Sequence, residues 1–171
     1  MKNIVLIGFM GTGKTVIGRR LANRLNREFI DTDVAIEAVT GKTIAQIFAK
    51  DGVIRFRSEE ALLAKKIAGK QDLVISTGGG MVLNPQNVSN LKINGVLVAL
   101  TAPPEVIYRR VKNKKTRPLL LKGDLKENIL SLLKERERSY KVADITIDTG
   151  AHSVDEVVEQ ICRYLSEGNI I

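Results

Sequence analysis

The residues able to do chemistry fall in a few short stretches. The first is Gly8-Phe9-Met10-Gly11-Thr12-Gly13-Lys14-Thr15, which fits G-x-x-x-x-G-K-[ST], a phosphate-binding loop. It follows the apolar run Ile4-Val5-Leu6-Ile7 and precedes a helical pattern, the strand–loop–helix context that such a loop requires. Glycines let the backbone curl so that successive N–H groups point at phosphate oxygens. The helix behind them adds the partial positive charge of its N-terminus. Lys14 can reach β- and γ-phosphates, and the Thr15 hydroxyl can ligate Mg²⁺.

Asp31-Thr32-Asp33 ends the second apolar run. If the extended geometry continues, alternation puts both carboxylates on one side, beyond the carboxyl end of a strand, where α/β sheets bind ligands. Such a pair suits a kinase: one carboxylate holds Mg²⁺ through water while the other orients a substrate hydroxyl and accepts its proton. Asp33 also precedes Val34-Ala35-Ile36-Glu37 and has the type of a helix N-cap. Arg57 and Glu60 are three apart on a predicted helix and can pair. Glu60 would then orient a guanidinium fork suited to a substrate carboxylate. Gly78-Gly79-Gly80 follows the run Leu73-Val74-Ile75-Ser76. Three glycines are costly to order, and they fit a place where backbone must pass close to a ligand. The basic, aperiodic stretch Asn113-Lys114-Lys115-Thr116-Arg117-Pro118 continues through Gly123. Beside a phosphate loop it reads as a lid over 113–123 whose cations close on phosphates and exclude water.

These residues need a frame, and the chain alternates short β-branched runs with helical patterns. Strands are predicted at Asn3–Ile7, 28–30, Leu73–Ser76, 96–100 and 144–147, several as continuous apolar runs typical of a parallel sheet covered on both faces. Capping-box patterns start helices at Thr43, Asp124 and Ser153, and Asn84-Pro85 offers an N-cap followed by Pro. Pro103-Pro104 breaks a strand before a helix predicted over 105–112. The alternation argues for an α/β sandwich with right-handed crossovers. No repeat or dividing linker is present, and 171 residues suit a single domain over 1–171.

Apolar residues make up 44% and charged residues 27%, an ordinary globular composition. No apolar run is long enough to span a bilayer. With only Met1-Lys2-Asn3 ahead of the first strand, no cleaved signal peptide is expected and a cytoplasmic location is. The net charge of +8 comes from 27 Lys+Arg against 19 Asp+Glu. Aromatics are only 4% and Trp is missing, so there is no interleaved stacking platform for nucleic acid. Nucleotide phosphates and an anionic substrate account for the excess. The single Cys162 reads as a small buried hydrophobe, and His152 as a solvated loop residue.

Taken in order, the phosphate loop, Asp31-Thr32-Asp33, Phe56-Arg57 with Glu60, Gly78-Gly79-Gly80, Arg117-Pro118-Leu119-Leu120 and Arg136 with Tyr140 resemble the shikimate kinase family over nearly the whole chain. The resemblance implies a three-layer α/β/α nucleoside-monophosphate-kinase-like fold with a five-stranded parallel sheet ordered 2-3-1-4-5. It implies transfer of the γ-phosphoryl group of ATP to the 3-hydroxyl of shikimate, a step toward chorismate and the aromatic amino acids. By position, Gly11, Thr12, Gly13, Lys14, Thr15 and Val16 would take the nucleotide, with Arg110 against adenine and lid residue Arg117 on the phosphates. Thr15 would ligate Mg²⁺ directly and Asp31 indirectly. Asp33 would bind the shikimate hydroxyls and act as base, Arg57 and Arg136 would hold the carboxylate, Glu60 would orient Arg57, and Gly78, Gly79 and Gly80 would line the substrate. Substrate-binding helices are expected at about 33–62. Lys14, Asp33 and Arg117 are the expected catalytic residues. The expected partners are shikimate and ATP, with no nucleic acid and no membrane, and the chain is expected to be a monomer.

The chain departs from the family pattern at Val53, where a glutamate is usual, and in Gly150-Ala151-His152, where some members carry a basic residue near adenine. Rival readings are another kinase of this fold, of the gluconate or nucleoside-monophosphate type, and a nucleotide-binding module without phosphoryl transfer.

Overall fold

The computed structural model describes residues 1–114 and 122–170. Its centre is a parallel sheet of β1 (Asn3–Ile7), β2 (Glu28–Asp31), β3 (Leu73–Ser76), β4 (Gly95–Thr101) and β5 (Ile145–Asp148), in the order β2-β3-β1-β4-β5. That is the expected order. The three inner strands are buried almost throughout, whereas the edge strands β2 and β5 are only partly covered. This explains why only the inner strands read as continuous apolar runs.

Alternation along β1 divides the core. Val5 and Ile7 face one layer, built from α4 (Gly52–Ala68), α5 (Pro85–Ile93), α6 (Pro104–Val111) and α7 (Leu125–Arg136) through Ala64, Leu91, Ile107 and Ile129. Ile4 and Leu6 face the other, built from α1 (Lys14–Leu25) and α8 (Val154–Glu167) through Ile17, Leu21, Val157 and Ile161. At about 25 cal/mol per Å² of apolar area, these two layers supply most of the driving force for folding. A third, smaller cluster joins α2 (Thr32–Thr40), α3 (Ile44–Gln46) and the π-helical turn Ile47–Asp51 to α4, through Ile36, Ile47 and Phe56, with Phe48 packed beside them. The Phe48 and Phe56 rings lie 5.0 Å apart.

The predicted capping boxes hold with one difference, and one strand starts later than predicted. Thr43 and Ser153 form full capping boxes with Gln46 and Glu156. Asp124 caps α7 through a bond from the Glu127 amide at 3.0 Å, with no return bond from Glu127. Asp144 is not a strand residue: its carboxylate accepts from the Leu97 amide at 2.7 Å, so β5 begins one residue later. Cys162 is half-buried against the α1–α8 layer, and burial pushes its thiol up. No helix among the described residues is long and apolar enough to cross a membrane.

Candidate active site

The phosphate loop crosses the C-terminal edge of the sheet between β1 and α1. Gly8 has φ 141°, and a Cβ there would strike the Leu100 carbonyl. Gly13 caps α1 with φ 94°, a conformation that costs residues with a Cβ. The Thr12 hydroxyl donates to the Phe9 carbonyl at 2.8 Å. Lys14 Nζ is folded into the loop, donating to the carbonyls of Gly8 and Phe9, both at 2.8 Å. Gly11, Thr12, Gly13, Thr15 and Val16 line a cleft of about 400 Å³ with this lysine.

The two aspartates do not continue the strand. β2 stops at Asp31, which caps α2: its Oδ1 accepts from the amides of Asp33 at 3.1 Å and Val34 at 3.4 Å. The N-cap is therefore Asp31 rather than Asp33, because the chain turns into α2 two residues earlier than an extended reading assumes. Asp31 Oδ2 accepts from the Thr15 hydroxyl at 2.8 Å. Ser76 Oγ lies 3.5 Å from the same hydroxyl. Thr15 and Asp31 form an oxygen-only pair on the wall of the nucleotide cleft. Among the described residues no cluster of three His, Cys, Asp or Glu side chains could hold a metal ion. Two oxygen donors beside a phosphate site nevertheless suit Mg²⁺, which keeps several waters and takes its remaining ligands from phosphates.

A second cleft of about 500 Å³ opens on the other side of Asp33, under α2, α3 and the start of α4. Arg57 and Glu60, one turn apart on α4, pair at 2.5 Å. Glu60 is fully buried. Burial pushes its carboxyl above the ordinary value and nearby Asp33 adds to the rise, while Arg57 above all, and Arg136, oppose it. Arg57 also sits over the Phe56 ring at 5.4 Å. Arg136, at the end of α7, is 4% exposed and lines the same cleft. Its Nε has no hydrogen-bond partner, an uncommon state for a buried donor.

The triple glycine does not sit at positive φ. Its reason is space. A Cβ on Gly78 would lie 2.7 Å from Asp33 Oδ1 and 3.1 Å from Glu60 Oε1, and one on Gly80 would fall on the Arg57 guanidinium. The Gly78 amide donates to Thr32 Oγ1 at 2.9 Å, so Thr32, buried between the two aspartates, fixes this loop to α2. The glycines leave room for Asp33, Glu60 and Arg57 to close in. The two clefts meet at Thr15, Asp31, Asp33, Gly78 and Gly79, which line both.

At the far end of the nucleotide cleft, Arg110 donates to the Gly11 carbonyl at 3.1 Å, to Thr149 Oγ1 at 3.0 Å and to the Thr149 carbonyl at 2.9 Å. Thr149 in turn donates to the Thr12 carbonyl at 2.8 Å. His152 and Lys114 line this end as well; His152 is exposed, as expected of a loop residue, yet borders the cleft. Ser76, Thr77 and Thr149 escaped the sequence reading. Each stands at or just past the carboxyl end of a strand, which was the available signal. Arg117, with residues 115–121 of the expected lid, lies outside the described residues. Val53 sits half-exposed on α4 outside both clefts, so the departure there removes no lining residue.

Comparison with known proteins agrees with this geometry. A family model described as shikimate kinase matches residues 10–166. The chain is 72% identical over 171 residues to a shikimate kinase of Pelotomaculum thermopropionicum, covering 100% of this chain and 99% of that one. It is 54% identical over 167 residues to one of Desulforudis audaxviator, covering 98% and 88%. A solved shikimate kinase from Acinetobacter baumannii, in complex with shikimate, superposes with a TM-score of 0.94 at 37% identity, covering 100% of this chain and 96% of that one. The chain belongs to the shikimate kinase family.

Proposed function

We propose that this chain transfers the γ-phosphoryl group of ATP to the 3-hydroxyl of shikimate, giving 3-phosphoshikimate and ADP. The observation that carries the reading is the junction of the two clefts. A phosphate-binding cleft and a cleft with paired carboxylates and two arginines share Thr15, Asp31, Asp33, Gly78 and Gly79, so a phosphoryl donor and an acidic polyol would meet there.

Phosphoryl transfer leaves a protein little covalent work. Its rate comes from position and from charge placed where the transition state needs it. Lys14 exchanges loop carbonyls for the β- and γ-phosphates, with the loop amides and the α1 N-terminus around it. Thr15 and Asp31 would hold Mg²⁺, which supplies charge neutralisation to the phosphates when bound. Arg110 flanks the adenine end.

In the other cleft, Arg57 and Arg136 take the substrate carboxylate as charge-assisted contacts. Glu60 keeps Arg57 in place, and the shortened Gly78, Gly79 and Gly80 admit the ring. Asp33 receives the 3-hydroxyl, orients its oxygen toward the γ-phosphorus and accepts its proton late in the transfer. The new O–P bond forms as the bond to the β-phosphate oxygen breaks, and ADP leaves.

The assignment extends to parts that rest on the family pattern. Arg117 and a lid over 113–123 would close on the phosphates, helices within 33–62 would form the substrate lobe, and 1–171 would act as one kinase domain. One chain lines both clefts, which supports a monomeric enzyme; it would act in the cytoplasm, with no nucleic acid or membrane partner. A coupled ADP-release assay across shikimate, quinate, gluconate and nucleoside monophosphates tests the reading. Turnover with shikimate is expected to dominate. Turnover led by gluconate or a nucleotide, or no acid-dependent turnover, would overturn it.

A further inference from the structure

Thr149 is the first residue past β5, and it is buried. Its amide donates to the Thr101 carbonyl at 2.8 Å, which extends the β4–β5 pairing by one rung and fixes its backbone. Its hydroxyl meets three segments of chain at once. The Thr12 carbonyl of the phosphate loop lies 2.8 Å away and the Thr101 carbonyl 3.1 Å away, while Arg110 of α6 donates to it at 3.0 Å. A hydroxyl has one proton and two lone pairs, a carbonyl accepts and a guanidinium donates. The directions are therefore settled. The proton goes to the carbonyls, Thr12 being the nearer, and a lone pair takes Arg110.

We propose that Thr149 is a positioning residue that fastens Arg110 to the phosphate loop, so that the base end and the phosphate end of the nucleotide cleft are held at one spacing. This rests on the nucleotide-binding role given above to that cleft. Arg110 needs such a fixture. It is exposed, so packing does little to aim it. Its terminal nitrogens bond to the Thr149 hydroxyl, the Thr149 carbonyl and the Gly11 carbonyl, which sets the plane of the guanidinium. The loop and α6 are built to sit close, since a Cβ on Gly11 would lie 2.8 Å from Val111 Cγ1. The loop also has its own fastening, the bond from the Thr12 hydroxyl to the Phe9 carbonyl. What Thr149 adds is the distance from that loop to Arg110. A nucleoside diphosphate spans both ends and feels that distance, whereas a bare phosphate chain touches the loop alone.

Thr149→Val keeps the shape and removes the hydroxyl. Losing a bond to a charged group costs enough for about a tenfold change in an equilibrium. The KM for ATP should rise about tenfold, with kcat and the KM for shikimate held within about twofold. By calorimetry with Mg²⁺ present, the Kd for ADP should rise about tenfold, while the Kd for pyrophosphate stays within about twofold. A merely structural role would weaken ADP and pyrophosphate alike. Thr149→Ser restores the oxygen and should restore the affinity for ADP. In an Arg110→Met background Thr149→Val should change the Kd for ADP by less than about twofold, because residues that act through one contact are not additive.

Should Thr149→Val fail to fold, Thr149→Ala set against Thr149→Ser repeats the comparison in a smaller side chain, since the two differ by the oxygen alone. ADP should then bind about tenfold more weakly to the alanine variant. An unchanged Kd for ADP, an equal loss for ADP and pyrophosphate, no rescue by serine, or full additivity with Arg110→Met would each overturn the inference. If the unaltered enzyme binds ADP and turns over shikimate, such results sink the Thr149 link alone. If the unaltered enzyme binds no ADP or ignores shikimate, the function proposed above falls with it.

Discussion

In the nucleotide cleft the recognising groups are mostly consecutive: the amides of 11–15, Lys14, the Thr15 hydroxyl and the start of α1 all come from one turn of chain. In the substrate cleft they come from separate elements. Asp33 stands on α2, Arg57 and Glu60 on α4, Gly79 after β3 and Arg136 at the end of α7. The first site is a local motif whose geometry is set by a few dihedral angles. The second exists only once the helices are packed, and its charges sit in a drier place. Glu60 and Arg136 are buried almost completely, whereas Arg110 at the far end of the nucleotide cleft is partly in water. Substitutions in the first should therefore act on charge at the phosphates, and substitutions in the second on the placement of the acid.

The largest expected effect is on the local side. Lys14→Ala removes a preorganised charge from the developing transition state and should lower kcat by on the order of 10²–10³, with the melting temperature little changed. Near-normal turnover in a folded Lys14→Ala protein would show the loop to be decorative.

At the junction, Asp33→Asn keeps size and hydrogen bonding but loses charge and the proton acceptor. A kcat loss of roughly 10² is expected, with ATP binding intact by calorimetry. Asp31→Asn should instead raise the Mg²⁺ concentration needed for half-maximal rate, since Asp31 bonds to Thr15. Reversal of the two phenotypes would mean that the aspartates exchange roles.

On the assembled side, Arg57→Lys preserves charge but not the fork. Its KM for shikimate should rise about tenfold, the scale of one charge-assisted bond, while the KM for ATP stays. A rise confined to ATP would place Arg57 in the other site.

The smallest effect is a pH profile. In the proposed role Glu60 pairs with Arg57 as a carboxylate, and burial raises its pKa. As pH falls through that raised value, Glu60 takes up a proton, the pair weakens, and the KM for shikimate should climb at a pH above the ordinary glutamate range. Because the folded state holds this proton more tightly than the unfolded chain, the same group disfavours the fold as pH rises from the unfolded value through the folded one. Glu60→Gln should have a weaker but flatter KM profile over that window, and an unflattened profile would assign the titration to another group.

The same division explains how much could be read before the fold was seen. The phosphate loop, the inner strands, the capping boxes at Thr43 and Ser153 and the pairing of Arg57 with Glu60 are encoded within a few residues of themselves, and all stand where expected. The Asp31-Thr32-Asp33 stretch was legible in its residues but not in its shape. Whether the chain goes straight on or turns into α2 is decided by Asp31 capping that helix and by Thr32 tying it to Gly78, a bond spanning 46 positions.

By itself the sequence determined that this chain is an α/β protein with a phosphate loop and a set of residues resembling one kinase family. Periodicity, turn chemistry and a contiguous motif are short-range quantities that survive in one dimension. The tertiary structure alone decided that the triple glycine serves close approach rather than unusual backbone angles. It alone brought Thr149 to Arg110 and the Thr12 carbonyl, and Tyr140 to Gly79. Those contacts join residues far apart in the chain. Their energies depend on burial and on which donor meets which acceptor, and neither exists until the layers have closed.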